Sequence, residues 1–260
     1  MVGCLGESNM LQKIRFKKYT SSGFVPARLK KFGFGTDKEM NIDGLKAEYL
    51  FKNSLEDTSG NEYHLTPIGN VMFKKGLGGY CLYYETQQVG AIVHSSELTS
   101  IFIGRKPYTV SFWIMPTIFS HENAEIIKVS NASGEASTIS IFILSNGIIQ
   151  FRRQLLWSYS DLYSTEPLKL NKWQHFLCEY NGTTMKIYIN NKLCGELEST
   201  LSVTQYGILW FGLVAGTYVS SQPGYYDSLR IFDRILTEKE KFELYNEFNL
   251  APIRLFKFMV

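Results

Sequence analysis

From Leu45 onward, apolar and polar positions alternate in short runs. In Tyr108–Met115, Val110, Phe112 and Ile114 point one way while Ser111 and Trp113 point the other. Met185, Ile187 and Ile189 alternate in the same manner with Lys186, Tyr188 and Asn190. A side-chain period of two is what a β-strand imposes. The pattern predicts strands over Ala47–Lys52, Gly79–Glu85, Val89–His94, Tyr108–Met115, Ala124–Val129, Thr138–Leu144, Gly147–Arg152, Trp173–Tyr180, Met185–Asn190, Ile208–Leu213 and Tyr225–Asp233. Short strands divided by turn residues predict an all-β chain of two antiparallel sheets packed as a sandwich. Asn181-Gly182 and Asn146-Gly147 sit between strand-like runs and read as hairpins, because both residues of such a pair accept positive φ. One helix is expected. Thr237 and Glu240 form a capping box, and Phe242, Tyr245 and Phe248 fall on one face that would close an end of the sandwich.

The flanks differ from this middle. Residues 1–44 carry eight basic and four acidic residues, a net of +4, with isolated aromatics and no sustained period. They read as a basic N-terminal arm, either wrapped on the domain or anchored to an acidic neighbour. Residues 249–260 form an apolar C-terminal tail suited to a sheet edge, its own or a partner's. The domain proper is expected over 45–248. A net charge of +3 over 260 residues gives no reason to expect nucleic acid. No run of about 18 apolar residues occurs, so no membrane insertion is expected. The N-terminus lacks a basic start followed by an apolar run, which predicts synthesis in a cytoplasm without a signal peptide. Cys4, Cys81, Cys178 and Cys194 show no zinc spacing and are expected as free, mostly buried thiols.

Four segments, in order, resemble the laminin-G-like branch of the concanavalin A-like lectin/glucanase superfamily. They are Ala47–Phe51 with Leu55–Asn61, Tyr108–Pro116, Lys172–Phe176 with Tyr180–Lys192, and Tyr226–Thr237 with Glu240 and Leu244-Tyr245. The likeness runs from about Leu45 to Glu247 and implies a jelly-roll sandwich with one short C-terminal helix. It departs from the family at Asn191, where glycine is usual, and at Cys178, where a small residue is usual. The resemblance implies no single function, since function resides in sites carried by the fold.

The Glu-x-Asp-x-x-Glu strand of the glucanase relatives is missing, and Glu196 with Glu198 is the sole strand-like carboxylate pair at alternate positions, read as a solvated strand edge. His64, His94, His121 and His175 have no metal spacing. No catalytic residue is expected, and the chain is read as not an enzyme. Calcium-binding relatives use loop carboxylates, as a hard cation requires. The resemblance makes Asp57, Asn61 and Asp227 the ligands if calcium is bound. The favoured alternative is that Asp57 caps a turn, that Asp227 bonds backbone amides, and that no cofactor is held. For a sugar, aromatic faces beside hydrogen-bonding groups are needed. Gln150, Arg152, Arg153, Trp157, Tyr159 and Tyr163 form the best such cluster, and Arg152-Arg153 beside Trp157 would suit an acidic glycan or a protein partner. Tyr218, Tyr225 and Tyr226 form a second.

The resulting expectation is a non-catalytic, lectin-like structural or adhesive subunit of a larger surface assembly, such as a phage capsid decoration, fibre or tail. Its protein partners would dock on residues 1–44 and 249–260, and it would reach a virion or other extracellular surface. A free-standing carbohydrate-binding module and a divergent glycosidase or lyase are the alternatives.

Overall fold

A computed structural model describes residues 43–86, 88–120, 124–131, 137–204, 207–212 and 221–248. The basic arm, except Asp43 and Gly44, and the apolar tail lie outside the described residues, as do Cys4, His121 and Tyr218. In chain order the strands are β1 (Leu45–Tyr49), β2 (Thr66–Ile68), β3 (Met72–Lys75), β4 (Tyr80–Tyr84), β5 (Gly90–His94), β6 (Tyr108–Pro116), β7 (Ala124–Ser130), β8 (Ser137–Ile143), β9 (Ile149–Leu155), β10 (Ser158–Tyr163), β11 (Gln174–Tyr180), β12 (Thr184–Ile189), β13 (Lys192–Glu198), β14 (Ile208–Gly212) and β15 (Gly224–Phe232). A single helical turn, α1 (Ser96–Thr99), precedes β6, and α2 (Glu238–Asn246) follows β15.

Two antiparallel sheets result. Sheet A has the order β13-β12-β11-β6-β15-β4-β3, with β1 also paired to β15. Sheet B has the order β10-β9-β8-β7-β14-β5-β2. The alternation read from the sequence decides what lies between them. Val110, Phe112 and Ile114 of β6, Met185, Ile187 and Ile189 of β12, and Ile139, Ile141 and Ile143 of β8 all belong to the main buried cluster. β15 serves two neighbours on one side. Gly224–Tyr226 pair with β4 and Leu229–Phe232 with β1, and a bulge at Asp227/Arg230 with Ser228 at φ 51° divides the halves.

Both predicted hairpins form, with turn chemistry of their own. At Asn181-Gly182 only the glycine has positive φ (101°), and a Cβ there would lie 2.8 Å from the Arg105 carbonyl oxygen. Asn181 Oδ1 instead accepts hydrogen bonds from the amides of Thr183 (2.9 Å) and Thr184 (2.7 Å). The turn with two positive φ values is Asn190-Asn191 (51° and 61°), joining the paired residues Ile189 and Lys192. Asparagine tolerates this conformation, so the missing glycine at 191 leaves the hairpin intact. Cys81, Cys178 and Cys194 are free and buried.

The C-terminal helix has the expected capping box, and Arg234 grips its Glu240 side chain (2.7 Å). That contact and the Thr237 bonds hold the Glu240 carboxyl down at about 2. Its docking differs from the expectation. α2 lies on the outer face of sheet A rather than capping an end, and Phe242 is 54% exposed. The buried face is Lys241, Leu244, Tyr245 and Phe248. Leu244 packs with Leu177, Tyr188 and Phe232, and the Tyr245 ring stacks on Trp113 at 6.0 Å. Lys241 wins over Phe242 because its ammonium reaches both Glu179 oxygens (3.3 and 3.4 Å) and the Tyr188 hydroxyl (3.0 Å) beneath the helix. Beside it, Arg230 is held between Glu48 (3.0 Å) and Glu247. Burial alone would lower the Arg230 pKa, and the two carboxylates more than offset it.

Candidate functional site

Among the described residues the β9–β10 hairpin forms one edge of sheet B. Phe151 and Leu162 turn inward to the core. Their neighbours Gln150, Arg152 and Gln154 on β9, and Tyr159, Asp161 and Tyr163 on β10, therefore face outward. The register sets Tyr163 opposite Gln150, Asp161 opposite Arg152 and Tyr159 opposite Gln154. The Arg152 guanidinium grips both Asp161 oxygens (2.6 and 2.8 Å) and lies 4.6 Å over the Tyr159 ring. Gln150 donates to the Tyr163 hydroxyl at 3.3 Å. Tyr159 and Tyr163 are about half exposed and flank the ion pair, some ~13 Å apart at strand rise. Farther in on the same face, Lys128 lies 3.4 Å from Glu125. Burial raises the Glu125 pKa, opposed by Lys128 and Ser140.

The loop between the strands is Leu156-Trp157. Trp157 is 89% exposed and Leu156 69% exposed. Leu156 also sits at φ 51°, a conformation costly for a side-chain-bearing residue. Both large apolar side chains thus stand in solvent at the hairpin tip.

Five of the six candidate ligand residues thus lie on this hairpin's outer face or at its tip. Arg153 does not. Adjacent strand residues point to opposite faces, so Arg153 enters the interior and is fully buried. It donates to the Tyr108 hydroxyl (2.9 Å) and the carbonyls of Gly104 (2.6 Å) and Leu201 (3.1 Å), and stacks 3.6 Å over Tyr180. Asp161, absent from the sequence-derived cluster, is the group that organises it.

The proposed calcium ligands do not fit a cation. Asp57 accepts from the amides of Glu48 (2.9 Å), Ser59 (2.8 Å) and Tyr63 (3.1 Å), which surround it with positive dipoles. Asn61 donates its amide to the Lys46 carbonyl (2.9 Å). Asp227 lies beneath the end of α2 with Ser228 and Arg230. Among the described residues no three His, Cys, Asp or Glu side chains gather as metal ligands. Burial, with the nearby Glu247 charge, pushes Asp227 up to about 7, against smaller opposing effects of Ser228, Gly78 and Arg230. Its pKa is thus higher folded than unfolded. The associated stability is complete below about pH 4 and is lost as pH rises through 7. Asp227→Asn is expected to gain roughly 1–2 kcal/mol over the parent at pH 8 and nothing near pH 4, measured by denaturant titration at both pH values.

The other candidates lie apart from the hairpin. Glu196 and Glu198 are exposed on β13, the edge strand of sheet A, with Glu196 3.6 Å from Lys186. His175 is buried, bonded to Ser111 (2.8 Å), and burial pushes it down to about 3. His64 accepts from the Asp57 amide (3.0 Å). The second tyrosine cluster divides, since Tyr226 is in the core while Tyr225 lies against Tyr83 (4.5 Å) and Trp173 (6.2 Å) on the outer face of sheet A. A separate cavity of about 320 Å³, lined in part by Lys46, Tyr63, Glu97 and Asp233, shares no residue with the hairpin.

The family model described as the concanavalin A-like lectin/glucanases superfamily matches residues 90–240, from β5 into α2. The chain belongs to this superfamily. Among solved structures the superfamily fold recurs in domain 4 of AbnA, a GH43 extracellular arabinanase from Geobacillus stearothermophilus, solved with arabinotriose. That likeness has a TM-score of 0.65 at 18% identity over 77% of this chain and 98% of that one. The binding domain of botulinum neurotoxin DC, solved with SialylT, gives 0.63 at 22% identity over 79% of this chain. The botulinum neurotoxin serotype C1 binding domain gives 0.63 at 21% over 80%. This chain spans 52% and 53% of those two neurotoxin chains. No match is found among the curated proteins. At these identities the structural likenesses establish the concanavalin A-like sandwich and nothing about its ligand.

Proposed function

We propose that this chain is a non-catalytic, glycan-recognising domain whose ligand lies along the outer face of the β9–β10 hairpin. The observation that carries the reading is the pairing of Tyr159 and Tyr163 around the Arg152–Asp161 fork, with Trp157 standing in solvent at the tip. Aromatic faces beside convergent donors and acceptors are what a sugar requires, since its rings present apolar C–H faces and a rim of hydroxyls. Membership of a lectin/glucanase superfamily supports the reading, as do structural neighbours solved with arabinotriose and with SialylT. Absence of catalysis is part of the proposal, because Glu196 and Glu198 stand on an exposed edge with neither burial nor separation of roles. The surface-assembly setting, a phage virion included, remains with it: the tails would anchor the domain and the hairpin would adhere.

The test is a glycan array with the full chain, followed by titration of the hits. Trp157→Ala is expected to weaken binding at least tenfold, about 1.4 kcal/mol, while moving stability by under about 0.5 kcal/mol. An array without hits, or unchanged affinity in Trp157→Ala and Tyr159→Ala alike, would refute the proposal.

A further inference from the structure

Resting on the glycan-binding reading, we infer that the hairpin face selects uncharged oligosaccharides, and that Asp161 sets this specificity by occupying Arg152. The seven strands of sheet B carry five formally charged side chains: Glu125, Lys128, Arg152, Arg153 and Asp161. Arg153 is turned inward. The remaining four form two ion pairs, Arg152–Asp161 at 2.6 Å and Lys128–Glu125 at 3.4 Å. The other outward-facing groups of the hairpin, the exposed Tyr159 and Tyr163, the half-buried Gln154 and the buried Gln150, carry no formal charge.

An anionic sugar approaching Arg152 would have to displace a carboxylate already bound through two nitrogens, and would meet the Asp161 charge at close range. The two-point fork is the strong form of this contact. A neutral sugar meets no such competition. Arg152 keeps N–H groups not spent on Asp161, and the Asp161 oxygens keep lone pairs. The pair therefore offers a donor and an acceptor side by side, the complement of two neighbouring hydroxyls, between two tyrosine faces. The arginine pair that suggested an acidic ligand in the sequence is reduced to one arginine, and that one is neutralised.

The experiment compares neutral glycans with sialylated and uronic-acid glycans of matched length on the array, then titrates the best of each at 50 and 300 mM NaCl. The expected result is neutral hits only, with affinity changing less than twofold between the two salts. Asp161→Asn should leave the Arg152 charge unmatched and raise affinity for acidic glycans about tenfold or more. Tighter binding of acidic than neutral glycans by the unaltered chain, or a severalfold loss of affinity at high salt, would overturn the inference while leaving glycan binding intact. A folded Asp161→Asn that gains nothing for acidic ligands would remove Asp161 as the determinant. The absence of any glycan hit would overturn the inference and the proposed function together. The salt series needs no variant, so it decides the matter even if Asp161→Asn does not fold.

Discussion

Arg230→Ala is expected to cost the fold about 3–5 kcal/mol, lowering Tm by roughly 10 °C. The guanidinium is buried between a fully buried Glu48 and the mostly buried Glu247. Removing it takes from Glu48 and Glu247 the guanidinium that both bind, and deleting one partner of a buried ion pair costs far more than the intact pair contributes. Arg230→Met combined with Glu48→Gln and Glu247→Gln should recover most of the loss, since the charges leave together. Thermal unfolding of the single and triple variants checks both statements. A single variant within 1 kcal/mol of the parent would mean that the helix is not clamped through this network.

Arg153→Ala is expected to lose a similar ~3–5 kcal/mol, and to do so without touching ligand affinity. Its guanidinium ties β9 to the Tyr108 hydroxyl and to the Gly104 and Leu201 carbonyls, and among the described residues no carboxylate accepts from it. Truncation would leave those carbonyls and the hydroxyl unpaired in the interior. Arg153→Lys should rescue little, because an ammonium cannot make the fork and stack on Tyr180 at once. Chemical denaturation gives the stability. Titration with an array-identified glycan, at a temperature where the variant is folded, gives the affinity. A stable Arg153→Ala with lost binding would return Arg153 to the ligand surface.

The contrast between Arg152 and Arg153 shows where a sequence reading stops. Alternation made the two-sheet fold readable, because a half-buried strand repeats every second residue. Neighbours in a strand must also part company, so a cluster that includes both arginines cannot share one face. β10 escaped notice for a related reason. Its sequence, SYSDLY, inverts the usual pattern: Ser158 and Ser160 lie on the face shared with inward-pointing Leu162, while Tyr159, Asp161 and Tyr163 face outward. The inversion is tolerated because Ser160 finds a partner in Ser199 (2.8 Å). Aromatics at every second outward position were the available signal for both the strand and Asp161. β2 and β3, at three and four residues, are too short to show a period, and β13 is broken by Gly195 and charged residues. Of the apolar triad Phe242, Tyr245 and Phe248, only Phe242 misled, because a buried lysine with a waiting glutamate took its place on the docking face. Such long-range pairs, Glu179 with Lys241 or Glu48 with Arg230, leave no trace in local pattern.

The position of β15 has a consequence for biosynthesis. It is the final strand of the described chain, yet it runs through the middle of sheet A, joining β6 to β4 and to β1 some 180 residues upstream. Until the ribosome has delivered it, β6 and β4 are open edges and the first strand has no partner in that layer. Sheet B can assemble once β14 has emerged, so a nascent chain passes through a stage with one layer formed and the other split. Interrupted synthesis within that interval would leave a sticky, two-edged intermediate of the sort that chaperones must shield.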